Sequence, residues 1–290
     1  MRITQLNIYP VKSLRGIALD EATLTERGLA FDRHWMVVDA RGRFVTQREC
    51  PAMAMVTVRL EPNRLVLEHP EAAPLAVPLA RHGLERLEVS LWKDSGEALD
   101  EGAEAAEWLT AVLGDGRHSD GRQGDEEGGL RLVRFPEERR REVEADYLRG
   151  ESAHTAFADG YPLLVAHRAS LERLNERLAE KGLDAVPMSR FRPNVVVEGE
   201  GPFAEVDWDE LALGSGIRLG LRKPCKRCKI ITQDQRTGEA PEPREPLKTL
   251  VEMDAQPGWK GAYFGQNAVP LDGIGRTLRV GDDAAATVRG

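Results

Sequence analysis

Apolar residues recur at short, strand-like intervals through the first hundred positions. Ile3, Leu6 and Ile8 open one such run, and Trp35-Met36-Val37-Val38 makes a second. The turn Asp39-Ala40-Arg41-Gly42 follows, and then Phe44-Val45-Thr46 as another short strand. Runs at 55–60 and 65–67 flank the turn-forming triplet Glu61-Pro62-Asn63, which predicts a hairpin. Strands this short and this close predict a barrel or sandwich. From 104 to 113 the spacing becomes helical, with Ala105, Trp108, Leu109 and Val112 on one face. Residues 114–129 are nearly all Gly, Asp, Glu, Arg, Ser and His. Nothing in that stretch fills a core, so it reads as a flexible loop beside a domain boundary.

The pattern returns to strands at 130–135 and 162–166. An amphipathic helix is predicted over 169–183, with Leu171, Leu174, Leu178 and Leu183 as its buried stripe. Further strands are expected at 194–197, 210–213, 217–221 and Ile230-Ile231, and 278–282 reads as a last strand and turn. Helices are few and no βα alternation appears, which argues against a doubly wound sheet. The expected class is α+β, mainly β, with an N-terminal domain over 1–115 and a second over 130–290. The segment 116–129 is the expected flexible connection.

The chain has 290 residues, 41% of them hydrophobic, enough for a substantial core and for two domains. A net charge of −8 gives no footprint for nucleic acid. No apolar run approaches the roughly 20 residues that span a bilayer, so no membrane association is expected. The first ten residues lack the apolar core and small-residue cleavage pattern of a secretory signal. Three cysteines make no disulfide framework, and a reducing cytoplasm is the expected location.

Two of those cysteines lie in Lys223-Pro224-Cys225-Lys226-Arg227-Cys228-Lys229, among four cations. Neighbouring cations favour the thiolate, the form that attacks or binds metal. Structural zinc would need four ligands, yet no cysteine or histidine follows Cys228. A thioredoxin-like pair belongs at a helix start, whereas Lys229-Ile230-Ile231-Thr232 reads as a strand. An inert pair in a basic surface loop stays open. So does a single thiolate ligand to a soft or redox-active metal, with nearby cations holding an anionic cofactor.

Five segments, in order along nearly the whole chain, resemble one family. They are Tyr9-Pro10-Val11-Lys12-Ser13 with Arg15-Gly16; Asp32-Arg33-His34-Trp35 with Val45-Thr46; and Phe191-Arg192-Pro193-Asn194-Val195-Val196-Val197. The fourth runs from Pro224-Cys225-Lys226-Arg227-Cys228 through Thr232, Asp234 and Thr237-Gly238, and the fifth is Glu245-Pro246-Leu247-Lys248-Thr249-Leu250. The set is similar to proteins that join an N-terminal β-barrel domain to a MOSC β-barrel domain with a few flanking helices. Mitochondrial amidoxime-reducing components and bacterial YcbX-type reductases are the relatives in view. At family level only, the resemblance also brings an association with pyridoxal phosphate.

The resemblance implies molybdenum-molybdopterin as cofactor, with Cys228 as the one protein ligand to molybdenum and the catalytic residue, and Cys225 as its neighbour. A cofactor that ends in a phosphate needs positive charge and backbone or hydroxyl donors. Lys12 and Ser13 offer an ammonium and a hydroxyl on one loop. Arg33 offers a planar fork, and Pro193 restricts the backbone that aims Arg192 and Asn194. Lys226 and Arg227 sit between the thiols. Gly160 and Tyr161 occupy a loop where relatives more usually carry Thr-Ser, and Asn267 a position where some carry tyrosine. Lys229, Ile231 and Gln233 also depart from the common pattern beside the cysteine.

The activity implied is reduction of small N-hydroxylated compounds by removal of oxygen from nitrogen, in a two-electron Mo(VI)/Mo(IV) cycle. No flavin or nicotinamide fingerprint occurs, and the four cysteines of a ferredoxin cluster are missing. A separate reductase, ferredoxin or cytochrome is therefore the expected electron donor. The alternatives are a persulfide-carrying sulfur transferase and a molybdopterin-binding protein without turnover.

Overall fold

The computed structural model describes residues 1–114, 129–214 and 216–289, so most of the 116–129 segment lies outside the described residues. In chain order the strands begin with β1 (Arg2–Ile8), β2 (Ile17–Leu19), β3 (Glu21–Thr25), β4 (Gly28–Leu29) and β5 (Trp35–Val38). Next come β6 (Thr57–Glu61), β7 (Arg64–His69), β8 (Ala72–Pro78), β9 (Arg86–Leu91), β10 (Asp94–Asp100), helix α1 (Ala103–Leu113) and β11 (Arg131–Arg134). The second half holds β12 (Leu163–His167), α2 (Arg168–Ala179), β13 (Val195–Glu198), β14 (Trp208–Leu213) and β15 (Ile217–Lys226). It finishes with α3 (Leu247–Met253), β16 (Tyr263–Asp272), β17 (Thr277–Arg279) and β18 (Ala284–Val288). The fold is α+β and mainly β, as the pattern predicts.

Eight strands form one sheet in the order β18-β14-β15-β16-β12-β13-β1-β2. It curls on itself: Arg2 bridges Asp283, and Ala284 N donates to Met1 O at 2.9 Å. The inner face is apolar by alternation, with Leu211 and Leu213 of β14 beside Ile217, Leu219 and Leu221 of β15. In β1 the inward residues are Ile3, Leu6 and Ile8, a spacing of three and then two. A bulge between Ile3 and Gln5 absorbs the odd step. The middle strands are buried on both faces. Val165, Val195 and Val197 point inward, whereas Ala166 and Val196 pack under Leu174 and Leu178 of α2.

The helix predicted over 169–183 stops earlier, in a Schellman closure: Leu183 N donates to Leu178 O and Gly182 N to Ala179 O, with Gly182 at φ 70°. Leu183 packs back from beyond the helix.

A second core lies under the hairpins β6-β7-β8 and α1, where Ala105, Leu109 and Leu113 meet Leu65, Leu67, Trp35 and Leu132. Sheet membership does not follow the expected division at 130. Strand β11 pairs with β10 and β5 of the first half, and β1 pairs with β13 of the second. Strand β17 returns to pair with β3. The strand expected at Phe44-Val45-Thr46 is only a bridged segment, and 278–282 is followed by one more strand, β18.

Candidate functional site

Loops at one end of these strands converge on a cavity of about 150 Å³. Lys12 and Ser13 reach it from the loop after β1, Arg33 from the turn before β5, and Gly160 and Tyr161 from the approach to β12. Arg192 and Asn194 enter just ahead of β13, Lys226, Arg227 and Cys228 from the end of β15, and Asn267 from within β16. Every nominated residue lines this one cavity, and Cys225 lines it too.

Three of them, Ser13 (φ 65°), Arg33 (φ 49°) and Arg192 (φ 56°), hold the left-handed backbone conformation. Such a residue costs about 1–3 kcal/mol unless its surroundings over-determine it. They do here. Gln47 Nε2 donates to Ser13 O at 2.7 Å. Arg33 N donates to Tyr9 O and Phe157 N to Arg33 O, each at 2.9 Å. Arg192 Nη1 donates to Gln235 Oε1 at 3.1 Å, and Gln235 Nε2 donates to Gln47 Oε1 at 3.0 Å. This buried glutamine relay ties the first-half loop to the segment that follows the thiols.

Six cations line the cavity (Lys12, Arg33, Arg48, Arg192, Lys226, Arg227) against one carboxylate, Asp159. In a chain of net charge −8 this is a local reversal of sign. Tyr9 organises part of it, with Arg33 and Arg192 each placing Cζ 4.2 Å from the ring centre. Burial pushes the Tyr9 phenol up to about 12, so it stays protonated and donates to Pro193 O at 3.1 Å. Burial, with Arg33 adjacent, pushes Arg192 down to about 10, which still leaves it charged at neutral pH. Lys12 is buried, which lowers its ammonium pKa; Asp159 opposes that shift and, with Phe157 O at 2.9 Å, binds the ammonium.

Asn194 is a strut. Its Oδ1 accepts from Leu164 N at 3.1 Å and Arg33 Nη1 at 3.2 Å, and its Nδ2 donates to Asn7 O at 3.1 Å. Asn267 is far less engaged, its amide reaching only Pro224 O at 3.5 Å. The buried Tyr161 hydroxyl has no partner among the described residues. A β-carbon on Gly160 would meet open space.

The two thiols differ. Cys225 Sγ accepts from Arg227 Nη1 at 2.8 Å, while Arg227 Nη2 donates to Phe191 O at 2.8 Å. No hydrogen bond to Cys228 Sγ occurs among the described residues, and no group of three or more His, Cys, Asp and Glu is arranged for a metal ion. The strand expected at Ile230-Ile231 is instead a 3-10 turn, Lys229–Thr232. Ile231 N donates to Cys228 O at 3.2 Å and Thr232 Oγ1 to Lys229 O at 2.8 Å, which buries Ile231 under α2 and α3. Tertiary burial overrides the β-branched preference.

Sequence reasoning did not nominate Tyr9, Thr46, Arg48 or Asp159. Tyr9 and Thr46 lie inside the quoted segments, and Asp159 directly precedes the nominated Gly160. Nothing local distinguishes Arg48 among forty Lys and Arg.

The description "MOSC N-terminal beta barrel domain" matches residues 1–116, and "MOSC domain" matches 152–285. Mitochondrial amidoxime reducing component 2 of Rattus norvegicus is 33% identical over 298 residues, covering 97% of this chain and 81% of that protein. Mitochondrial amidoxime-reducing component 1 of Homo sapiens is 33% identical over 303 residues, with 97% and 81% covered. Molybdenum cofactor sulfurase of Drosophila mojavensis is 30% identical over 270 residues, 91% of this chain but 32% of that longer protein. With both domains matched in order and a third of its residues shared over nearly its full length, this chain belongs to the MOSC family of the mitochondrial amidoxime-reducing components.

Proposed function

We propose that the chain is a molybdenum-cofactor-dependent reductase of small N-hydroxylated compounds, supplied with electrons by a separate reductase, ferredoxin or cytochrome. One observation carries the reading: Cys228, a thiol without a hydrogen-bond partner among the described residues, faces a cavity of six cations and one carboxylate. That donor set fits molybdopterin. A lone thiol cannot complete a metal's coordination, so the remaining ligands must come with the cofactor. When bound, the cofactor supplies the two-electron redox chemistry that removes oxygen from nitrogen.

The chain's own residues bind and orient. Cys228 is the single protein ligand. Lys12, Ser13, Arg33, Arg192 and Lys226 offer cations and a hydroxyl to the anionic pterin phosphate. Asn194 holds Arg33, and Gln235 holds Arg192. Gly160, Tyr161 and Asn267 flank the cofactor with an open backbone, an unpartnered hydroxyl and a loosely held amide. Arg227 engages Cys225, and Cys228 is taken as the ligand from its place in the family's motif.

Metal analysis together with benzamidoxime reduction by a reduced viologen dye tests the reading. Cys228→Ala is expected to lose both molybdenum and turnover, whereas Cys225→Ala keeps a large share of each. Full molybdenum and full turnover in the Cys228 variant would remove the proposed ligand.

A second reading, sulfur transfer through a persulfide on Cys225, draws on the Arg227 contact and the likeness to the sulfurase. It requires labile sulfur released by thiols and little bound molybdenum. No described helix is long and apolar enough to cross a membrane. The cytoplasm, expected from the cysteine content, is the proposed location, although the relatives in view are named mitochondrial.

A further inference from the structure

A cleft of about 670 Å³ adjoins the cationic cavity and shares Asp159, Gly160, Tyr161, Cys225, Lys226 and Asn267 with it. The chain has five tryptophans and four tyrosines, and five of those nine line this cleft: Trp92, Tyr147, Tyr161, Trp259 and Tyr263. Core formation does not explain the concentration, because Trp92 is 45% exposed and Tyr147 and Trp259 are only half-buried. Instead the rings brace one another. Trp259 lies 5.8 Å from both Tyr147 and Tyr263, and Trp92 packs 4.7 Å from Phe44 with Arg48 at 4.2 Å.

Trp92 also bears a conformational cost. It is the first residue of the two-residue turn between β9 and β10, where Leu91 pairs with Asp94, and its φ is 57°. That position favours glycine. A half-exposed tryptophan kept there, at the edge of a cleft, marks a site.

Charge separates the two spaces. The cavity carries six cations to one carboxylate, whereas four basic and four acidic residues line the cleft. The first suits an anion and the second a neutral, flat molecule. We infer that the aromatic cleft is the substrate subsite, and that it selects N-hydroxylated compounds in which an aromatic ring carries the functional group that bears the N–O bond. The inference rests on the reductase reading and adds to it the ring preference and the residues that impose it. Ring faces and edges on Trp259, Tyr147 and Trp92 recognise the substrate ring by offset or edge-on stacking. The walls shared with the cavity set its substituent beside the Cys225–Cys228 segment.

Full-length, molybdenum-loaded protein driven by reduced methyl viologen tests this with benzamidoxime and acetamidoxime, which share the N–O group and differ in the ring. The wild-type protein is expected to show the lower KM for benzamidoxime. Trp259→Ala should reduce that discrimination about fivefold, the worth of one stacked ring, and Trp259→Phe should preserve it. Equal KM shifts for both substrates, or discrimination unchanged in Trp259→Ala, would overturn the subsite. Equilibrium dialysis of the same two compounds against the full-length proteins reads the preference without turnover. A wild-type protein that reduces neither compound defeats the reductase reading, while dialysis still decides the subsite. Tighter benzamidoxime binding weakened about fivefold in Trp259→Ala upholds it, and equal binding of the two compounds ends it.

Discussion

A β-carbon built on Gly16 lies 2.4 Å from Tyr9 Cε1 and 2.7 Å from Cδ1. The Tyr9 ring cannot swing aside freely, because Arg33 and Arg192 stack on it and its hydroxyl is tied to Pro193 O. Gly16→Ala therefore has to displace a ring that positions two cavity cations. Urea denaturation should show a loss of about 1–3 kcal/mol, and the variant should retain less molybdenum on gel filtration than the wild type. Undiminished stability would mean that the ring yields. Gly16 and Tyr9 both stand in the first matched segment, yet nothing in the residue types reveals the contact. It depends on the path of a loop, which no local pattern encodes.

Among the elements, the clearest strain is where α2 docks on the 3-10 turn Ala204–Val206. Glu205 is fully buried there; its Oε2 accepts from Ser170 Oγ at 2.8 Å, while Oε1 has no partner among the described residues. Burial pushes its pKa from 4.5 up to about 7. A raised carboxyl keeps its proton in the native state after the unfolded chain has lost its own. The native state is thus penalised progressively from about pH 4.5 to about pH 7, and by a constant amount above. Glu205→Gln removes the penalty. Thermal melts across pH should show a gain of several degrees at pH 8 that vanishes below about pH 4.5. A gain independent of pH would assign the effect to packing alone.

Elements with clean alternation or a clear helical stripe were legible: β5, the β6-β7 hairpin, α1, α2 and β14 follow their apolar spacing. Strand β16 was not. Tyr263-Phe264-Gly265-Gln266-Asn267-Ala268-Val269-Pro270 mixes glycine, amides and proline, because one part of it lines the site and another enters the barrel core. The run at Ile230-Ile231 misled in the opposite sense, as β-branched residues closing a turn. Most of the nominated cavity residues were legible through the matched segments, with Gly160, Tyr161 and Asn267 placed from the stretches between and after them. Arg48 and the aromatic cleft were not, because they assemble from distant loops.

At the scale of the whole molecule, the two matched domains are interleaved rather than strung in series. Strand β1 lies in the sheet of the second half, β17 pairs with β3, and the cavity takes walls from both halves. Calorimetry should therefore show one unfolding transition whose van't Hoff and calorimetric enthalpies agree. Two resolved peaks would show that the halves are energetically independent.

The pairing of β1 with β13 also constrains the order of events during synthesis. Strand β1 finds its neighbour only after Val195–Glu198 has emerged, and until then its apolar face must be shielded by transient company or by a chaperone. Cys228 and Asn267 come later still. The cavity itself therefore exists only once residues from Lys12 through Asn267 have been made and folded together.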